Sequence, residues 1–321
     1  MSVRLAVCGA HGPIAQGFCE RLEDADCGLA TPAVFAVRDA PADALRVRGS
    51  TVPVHPIAEA DFAQFDLLLI FDPEAGAETL AEAANARGCH VIDASLAGLC
   101  RGRPVVPELM AVERVDSPVF WCLPHPAISA LAPVLDGLVE GNVIQSVAAL
   151  VCEPASALGE EGTRQLAAET ARLLNGQGVK AVPGRGQLAF NLLPSAFPEA
   201  EMWADCLRDL LGIAVADLRL QRLQVPLFYG QTVQLSVALE RAPQLSELRG
   251  AWAKNNIHFV DNKGKFSPVA LAEDDRIHLG QLQLETAAPH RLSVWVIADN
   301  VRKSAVVNTN KLIEILIKSS I

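Results

Sequence analysis

Half of the 321 residues are hydrophobic, so the chain is long and apolar enough for two domains with substantial cores. Twenty-seven basic against thirty-seven acidic residues leave a formal net charge of −10, which argues against a general nucleic-acid or anionic-membrane surface. No apolar run approaches a membrane span, and the opening MSVRLAVCGA has neither the h-region nor the cleavage site of a secretory signal, so a cytoplasmic location is expected.

Residues 3–8 predict a buried strand, followed by Gly9-Ala10-His11-Gly12-Pro13-Ile14-Ala15 and an amphipathic run through Phe18 and Leu22. A glycine-bearing turn between strand and helix lets backbone N–H groups approach a pyrophosphate at the helix N-terminus. Gly9, His11, Gly12, Pro13 and Ile14 are therefore candidate dinucleotide-binding residues. A structural turn is the alternative, because Ala15 stands where a third glycine would pack helix against sheet. Further apolar strand runs at 33–37, 67–71 and 90–93, with a helical segment at 74–87, predict a doubly wound, Rossmann-like parallel sheet. Arg38, just after the second strand, is placed to meet a ribose 2′-phosphate, which would favour NADP over NAD; a solvated loop arginine is the other reading.

Val119-Phe120-Trp121-Cys122 is a short apolar strand, broken by Leu123-Pro124-His125-Pro126 and followed by residues with helical spacing. Pro124 biases Leu123 away from helical geometry, and Pro126 suits a first helical position. A reactive side chain at this strand–turn–helix corner would sit at the positive end of a helix, which lowers a thiol pKa and steadies an oxyanion. The corner offers a proline.

Beyond it the texture changes. Alternating strands at 143–150, 218–224, 232–239, 277–284 and 292–298, with helices at 159–174, 199–211 and 243–254, predict an α+β domain with a broad antiparallel or mixed sheet. From residue 300 the chain turns helical, with Val301, Ala305, Leu312 and Leu316 at helix-compatible spacing. The expected organisation is a dinucleotide-binding domain over 1–125, completed by a C-terminal helix at 300–321, and a dimerisation or substrate domain over 126–299. The eight cysteines show no Cys-x-x-Cys pair or zinc-type spacing and the seven histidines are dispersed, so no metal site is expected.

Val7-Cys8-Gly9-Ala10-His11-Gly12, Val91-Ile92-Asp93, Val105-Val106-Pro107-Glu108, Phe190-Asn191-Leu192-Leu193-Pro194, Val225-Pro226-Leu227-Phe228-Tyr229-Gly230 and the run from Trp295 to Lys303 occur in that order. Together they resemble the aspartate-β-semialdehyde dehydrogenase family, and in particular its Usg-type branch. The resemblance implies an NADP-binding domain, a homodimer, and reductive dephosphorylation of β-aspartyl phosphate through a cysteine thioacyl, a histidine acid/base and substrate-clamping arginines.

At the positions that correspond, the chemistry is missing. The family's thiol falls on Pro126, which has no nucleophile; its arginine falls on Gln224 and its histidine on Gln231, neither of which can carry the charge or the proton. Its substrate glutamine falls on Glu153, its second arginine near Leu99 and its lysine near Met202, so the pocket is expected to have changed sign and to repel a dianionic acyl phosphate. Cys122 and Cys152 are the thiols nearest in sequence to these positions, with His125 as a possible base, and buried structural thiols are the commoner outcome. Three readings follow: a dimeric binding or scaffold protein without the family activity, with a dinucleotide such as NADP either retained or lost; an oxidoreductase acting on a changed substrate; and a structural partner protein with no nucleotide. Asp72 and Glu74, unfavourable beside phosphates, favour the last.

Overall fold

The computed structural model describes residues 3–9, 13–24, 29–38, 45–47, 49–96, 100–110, 115, 117–139, 141–179, 182, 184, 186–212, 217–261, 263–272 and 274–319. The chain forms two compact units, 1–125 with 302–321, and 126–301. The first carries β1 (Leu5–Cys8), α1 (Pro13–Asp24), β2 (Ala33–Ala36), a small hairpin of β3 (Arg46–Val47) and β4 (Ser50–Thr51), β5 (Val54–Pro56), β6 (Leu67–Ile70), α2 (Ala77–Asn85), β7 (His90–Asp93), β8 (Arg103–Pro104) and β9 (Phe120–Cys122). Seven of these strands form one sheet in the order β5-β2-β1-β6-β7-β9-β8, with every pairing parallel.

The apolar runs explain the sheet. Every residue of β1, β6 and β7 is buried, as expected where both faces of a parallel sheet are covered. Alternation then sorts the side chains: Val7, Leu67 and Leu69 join a core with Phe18 and Leu22 of α1, while Ala6, Leu68 and Ile70 join a second core with Ala81 and Ala84 of α2. The predicted Rossmann-like parallel sheet is what the chain builds.

The second unit contains α3 (Pro126–Val139), β10 (Ile144–Glu153), α4 (Gly159–Leu174), β11 (Leu193–Ser195), α5 (Ala200–Leu211), β12 (Asp217–Gln224), β13 (Gln231–Leu239), α6 (Leu245–Lys254), β14 (Ile257–Phe259), β15 (Ile277–Glu285) and β16 (Ala288–Ala298). Its sheet runs β11-β12-β10-β13-β16-β15-β14. The sheet is mixed, in keeping with the expected antiparallel or mixed sheet: β10 pairs with β12, and β14 with β15, in parallel, and the remaining pairings are antiparallel. The long link between β10 and β12 holds α4 and α5, the kind of crossover that returns a strand in the same direction. The almost wholly apolar α3 packs on β10, β13 and β16 and against α5 and α6, and Trp252 of α6 donates its indole N–H to the Val134 carbonyl at 3.0 Å.

The C-terminal segment departs from a simple helix. Arg302–Val307 is a π-helix, and α7 (Asn308–Lys318) continues from it, with Leu312 and Leu316 buried in the core of the first unit. All five residues from Lys303 to Val307 are buried, more than one α-helical face presents in succession, and the wider turn permits it. A Cβ on Gly17 of α1 would stand 3.2 Å from Val306, so glycine lets α1 approach this turn closely.

Candidate functional site

Three of the positions singled out in the sequence lie side by side in the second unit. Glu153 ends β10 and is the register partner of Gln224, which ends β12. On the other side Cys152 pairs with Thr232, so Gln231, the first residue of β13, is the next neighbour of Glu153. Cross-strand partners share a face, and the row Gln224, Glu153, Gln231 therefore crosses three adjacent strand ends. All three are buried, at 6, 5 and 2 % exposure. Gln224 spends its Nε2 donor on the Glu153 carbonyl at 2.9 Å, whereas neither side-chain polar atom of Gln231 has a hydrogen-bond partner among the described residues.

The loops around the row are fixed by backbone bonds. Ala155 and Ser156 donate to the carbonyls of Leu227 and Phe228 at 2.7 and 3.0 Å, and Asn300 Oδ1 accepts from the Gly230 N–H at 3.1 Å while its side chain also bonds Ser156. Gly230 has φ +90°, and a Cβ there would lie 2.8 Å from Pro268, so this turn requires glycine.

The sign of the row needs one correction. Arg222, two residues before Gln224 and on the same face of β12, brings its Nε to 3.8 Å from the Glu153 carboxylate. A second carboxylate, Glu199 at the start of α5, lies 3.8 Å from Nη1, and Nη2 donates to the Ala196 carbonyl at 2.8 Å. The guanidinium also stands 5.0 Å over the Phe197 ring, which meets Trp203 edge-on. Positive charge is thus present beside position 224 rather than at it. A pattern search for arginine at 224 misses it; two-residue strand spacing is the signal that finds it.

Pro126 opens α3 and is buried. Met202 is half-buried on α5, and Leu99 lies outside the described residues. Cys152 alternates with Glu153 along β10 and so faces the opposite side of the sheet; burial also raises its thiol pKa, which suppresses the thiolate. Cys122 ends β9 in the first unit, buried, with its Sγ 3.6 Å from the Leu123 carbonyl. His125 is half-buried.

In the first unit β1 lies between β2 and β6, where the strand order reverses, the position at which open α/β sheets take ligands at their carboxyl ends. Gly9 has φ +109°, and a Cβ there would stand 2.7 Å from the Asp72 backbone nitrogen. α1 opens on Pro13, and Ile14 packs against the core; Ala10, His11 and Gly12 lie outside the described residues. Arg38, which follows β2, is exposed and ion-paired with Glu74, which follows β6.

Two sequence motifs meet elsewhere in this unit, unanticipated as a pair. Glu108, from Val105-Val106-Pro107-Glu108, accepts from Lys303 at 2.9 Å and Lys311 at 2.8 Å, with the Glu108 and Lys303 side chains 4 and 3 % exposed. Lys303 also donates to Asn308. Burial opposes the Glu108 charge, and the two ammonium groups outweigh it, holding the carboxyl below its ordinary pKa. Among the described residues no helix is long and apolar enough to cross a membrane, and no group of three or more His, Cys, Asp or Glu is gathered to hold a metal.

A doubly wound parallel sheet followed by a mixed-sheet unit with a polar row at three strand ends defines a two-part α/β protein with a Rossmann-like first unit. A profile of the semialdehyde dehydrogenase dimerisation domain matches residues 131–303, and the chain belongs to that family. It is 27% identical over 334 residues to a USG-1 protein homolog of Pseudomonas aeruginosa, with 98% of each chain covered. It is 26% identical over 333 residues to the aspartate-semialdehyde dehydrogenase of Legionella pneumophila, covering 98% of this chain and 95% of that one. Among solved structures, aspartate semialdehyde dehydrogenase II of Vibrio cholerae superposes with a TM-score of 0.89 over 100% of both chains at 21% identity, a likeness of fold. The resemblance read from the sequence, to this family and to its Usg-type members, is borne out.

Proposed function

We propose that this chain keeps the semialdehyde dehydrogenase framework without its thioacyl chemistry and acts as a homodimeric binding or scaffold protein. The observation that carries the reading is the first turn of α3: an acyl-enzyme needs a thiol there, and the residue is Pro126, an imino acid without a nucleophile. Gln231 and Gln224 supply neither a general base nor a guanidinium for the same reaction. The loops that frame the row are nonetheless tied down by backbone bonds, which supports retention of the place as a binding site. Dimerisation is supported by the matched domain and by the sheet face opposite α3, where Gln234, Ser236 and Trp295 are only half-buried.

NADP is the dinucleotide proposed, met by Gly9, His11, Gly12, Pro13, Ile14 and Arg38. The close turn at Gly9 and the start of α1 beside the switch point fit a pyrophosphate. Arg38 fits a 2′-phosphate only after leaving Glu74. The retained crevice also favours a second reading, an oxidoreductase that passes hydride to another substrate without an acyl-enzyme. The test is steady-state turnover of aspartate semialdehyde with NADP and phosphate by the purified dimer. The proposal expects activity at least about 10⁶-fold below that of an intact thioacyl enzyme; robust turnover contradicts it.

A further inference from the structure

Arg222 is the feature of the polar row that the family reading does not supply. Each of its three guanidinium nitrogens has a neighbour: Nε faces Glu153, Nη1 faces Glu199, and Nη2 donates to the Ala196 carbonyl. The two carboxylate separations, both 3.8 Å, exceed the about 2.8 Å of a charge-assisted hydrogen bond. The cation is therefore neutralised by carboxylates that it does not bond tightly. Its side chain is 22 % exposed and the Glu153 side chain beside it 6 %, so the charges meet at the edge of the buried row rather than in open solvent. Gln231, on the far side of Glu153, adds an amide whose donor and acceptor have no partner among the described residues.

We propose that Arg222 is the anion-binding residue of this row and that Glu153 is a built-in carboxylate that occupies it. The inference rests on the reading of the row as a retained ligand site. Position 153 holds a carboxylate where the family resemblance places a neutral glutamine, and that carboxylate stands where a small anion would have to approach Arg222 from the β10 side. A carboxylate or phosphate ligand must displace Glu153 or suffer its repulsion, whereas a neutral or ammonium-bearing ligand does not. The site as built thus selects against the dianions that its relatives' framework accommodates, and one substitution reverses the selection.

The experiment is calorimetric titration of the full-length protein with inorganic phosphate and, separately, with succinate, on the wild type, Glu153→Gln, Glu199→Gln and the double variant Glu153→Gln/Arg222→Gln. Glu153→Gln keeps the shape of the side chain and should tighten binding of at least one probe by about ten- to hundredfold, the scale of one or two hydrogen bonds to a charged group. Gain with phosphate alone assigns a phosphoryl site, and gain with succinate alone a carboxylate site. The double variant should lose the gain. Glu199 sits at a half-exposed helix start, so Glu199→Gln provides a smaller gain should Glu153→Gln fail to fold. Wild-type protein that binds either probe as tightly as Glu153→Gln, two carboxylate variants without any gain, or a gain that survives loss of Arg222 overturns the proposal. Turnover of aspartate semialdehyde would overturn the proposed function without altering this titration, and a flat titration leaves the turnover result untouched.

Discussion

His90 accepts the Val119 backbone N–H on its Nδ1 at 3.2 Å and stacks on Trp121 with ring centroids 5.4 Å apart. Only the neutral ring offers that acceptor, and burial lowers the pKa from its usual 6.5, with Asp66 opposing in part. His278, 1 % exposed in the second unit, is shifted the same way, first by burial and against the pull of Asp274. The sign follows from proton uptake: the unfolded chain binds these protons first as pH falls, so stability is complete above about pH 6.5 and declines below it toward the folded-state values. We predict that the urea midpoint drops between pH 7.5 and 5.5, and that His90→Gln and His278→Gln each flatten the decline. A slope unchanged in both variants contradicts the assignment. At the same scale, Glu153, Gln224 and Gln231 were singled out in the sequence, and the sheet register sets them side by side. The Arg222–Glu153 contact was not, since only the parallel register of β10 and β12 brings those residues together.

Elements follow from patterns of different strength. The four consecutive apolar residues of β6 mark a strand covered on both faces, and α4 occupies the predicted 159–174. The π-helix at 302–307 was not legible, because helical spacing does not distinguish a wide turn from an ordinary one until its packing partner is known. What holds that turn is the ion cluster of Glu108 with Lys303 and Lys311, which ties the 3₁₀ turn Pro107–Leu109 to the C-terminal segment. A buried pair adds little over an apolar replacement of both partners, yet removing one charge strands the other. Glu108→Gln is therefore predicted to destabilise the first unit by about 3–5 kcal/mol, read as a lower urea midpoint and faster amide exchange in α7. A change within about 0.5 kcal/mol would show that the cluster is solvated after all.

For the whole molecule, alternation of apolar strands and helices before residue 120, and of apolar and polar residues within strands after it, made both sheets legible. The direction of β10 relative to β12 was hidden because hydrophobic alternation carries no polarity along the strand; the helical crossover decides it. Family membership came through the order of short motifs, and the same motifs carry the proposal that the thioacyl chemistry is absent. Intact-protein mass spectrometry after incubation of the purified protein with aspartate semialdehyde and NADP, followed by acid quench, tests the proposed loss most directly. The account predicts the unmodified mass alone at every time point. An acyl adduct mapped to Cys122, Cys152 or any other thiol would contradict it.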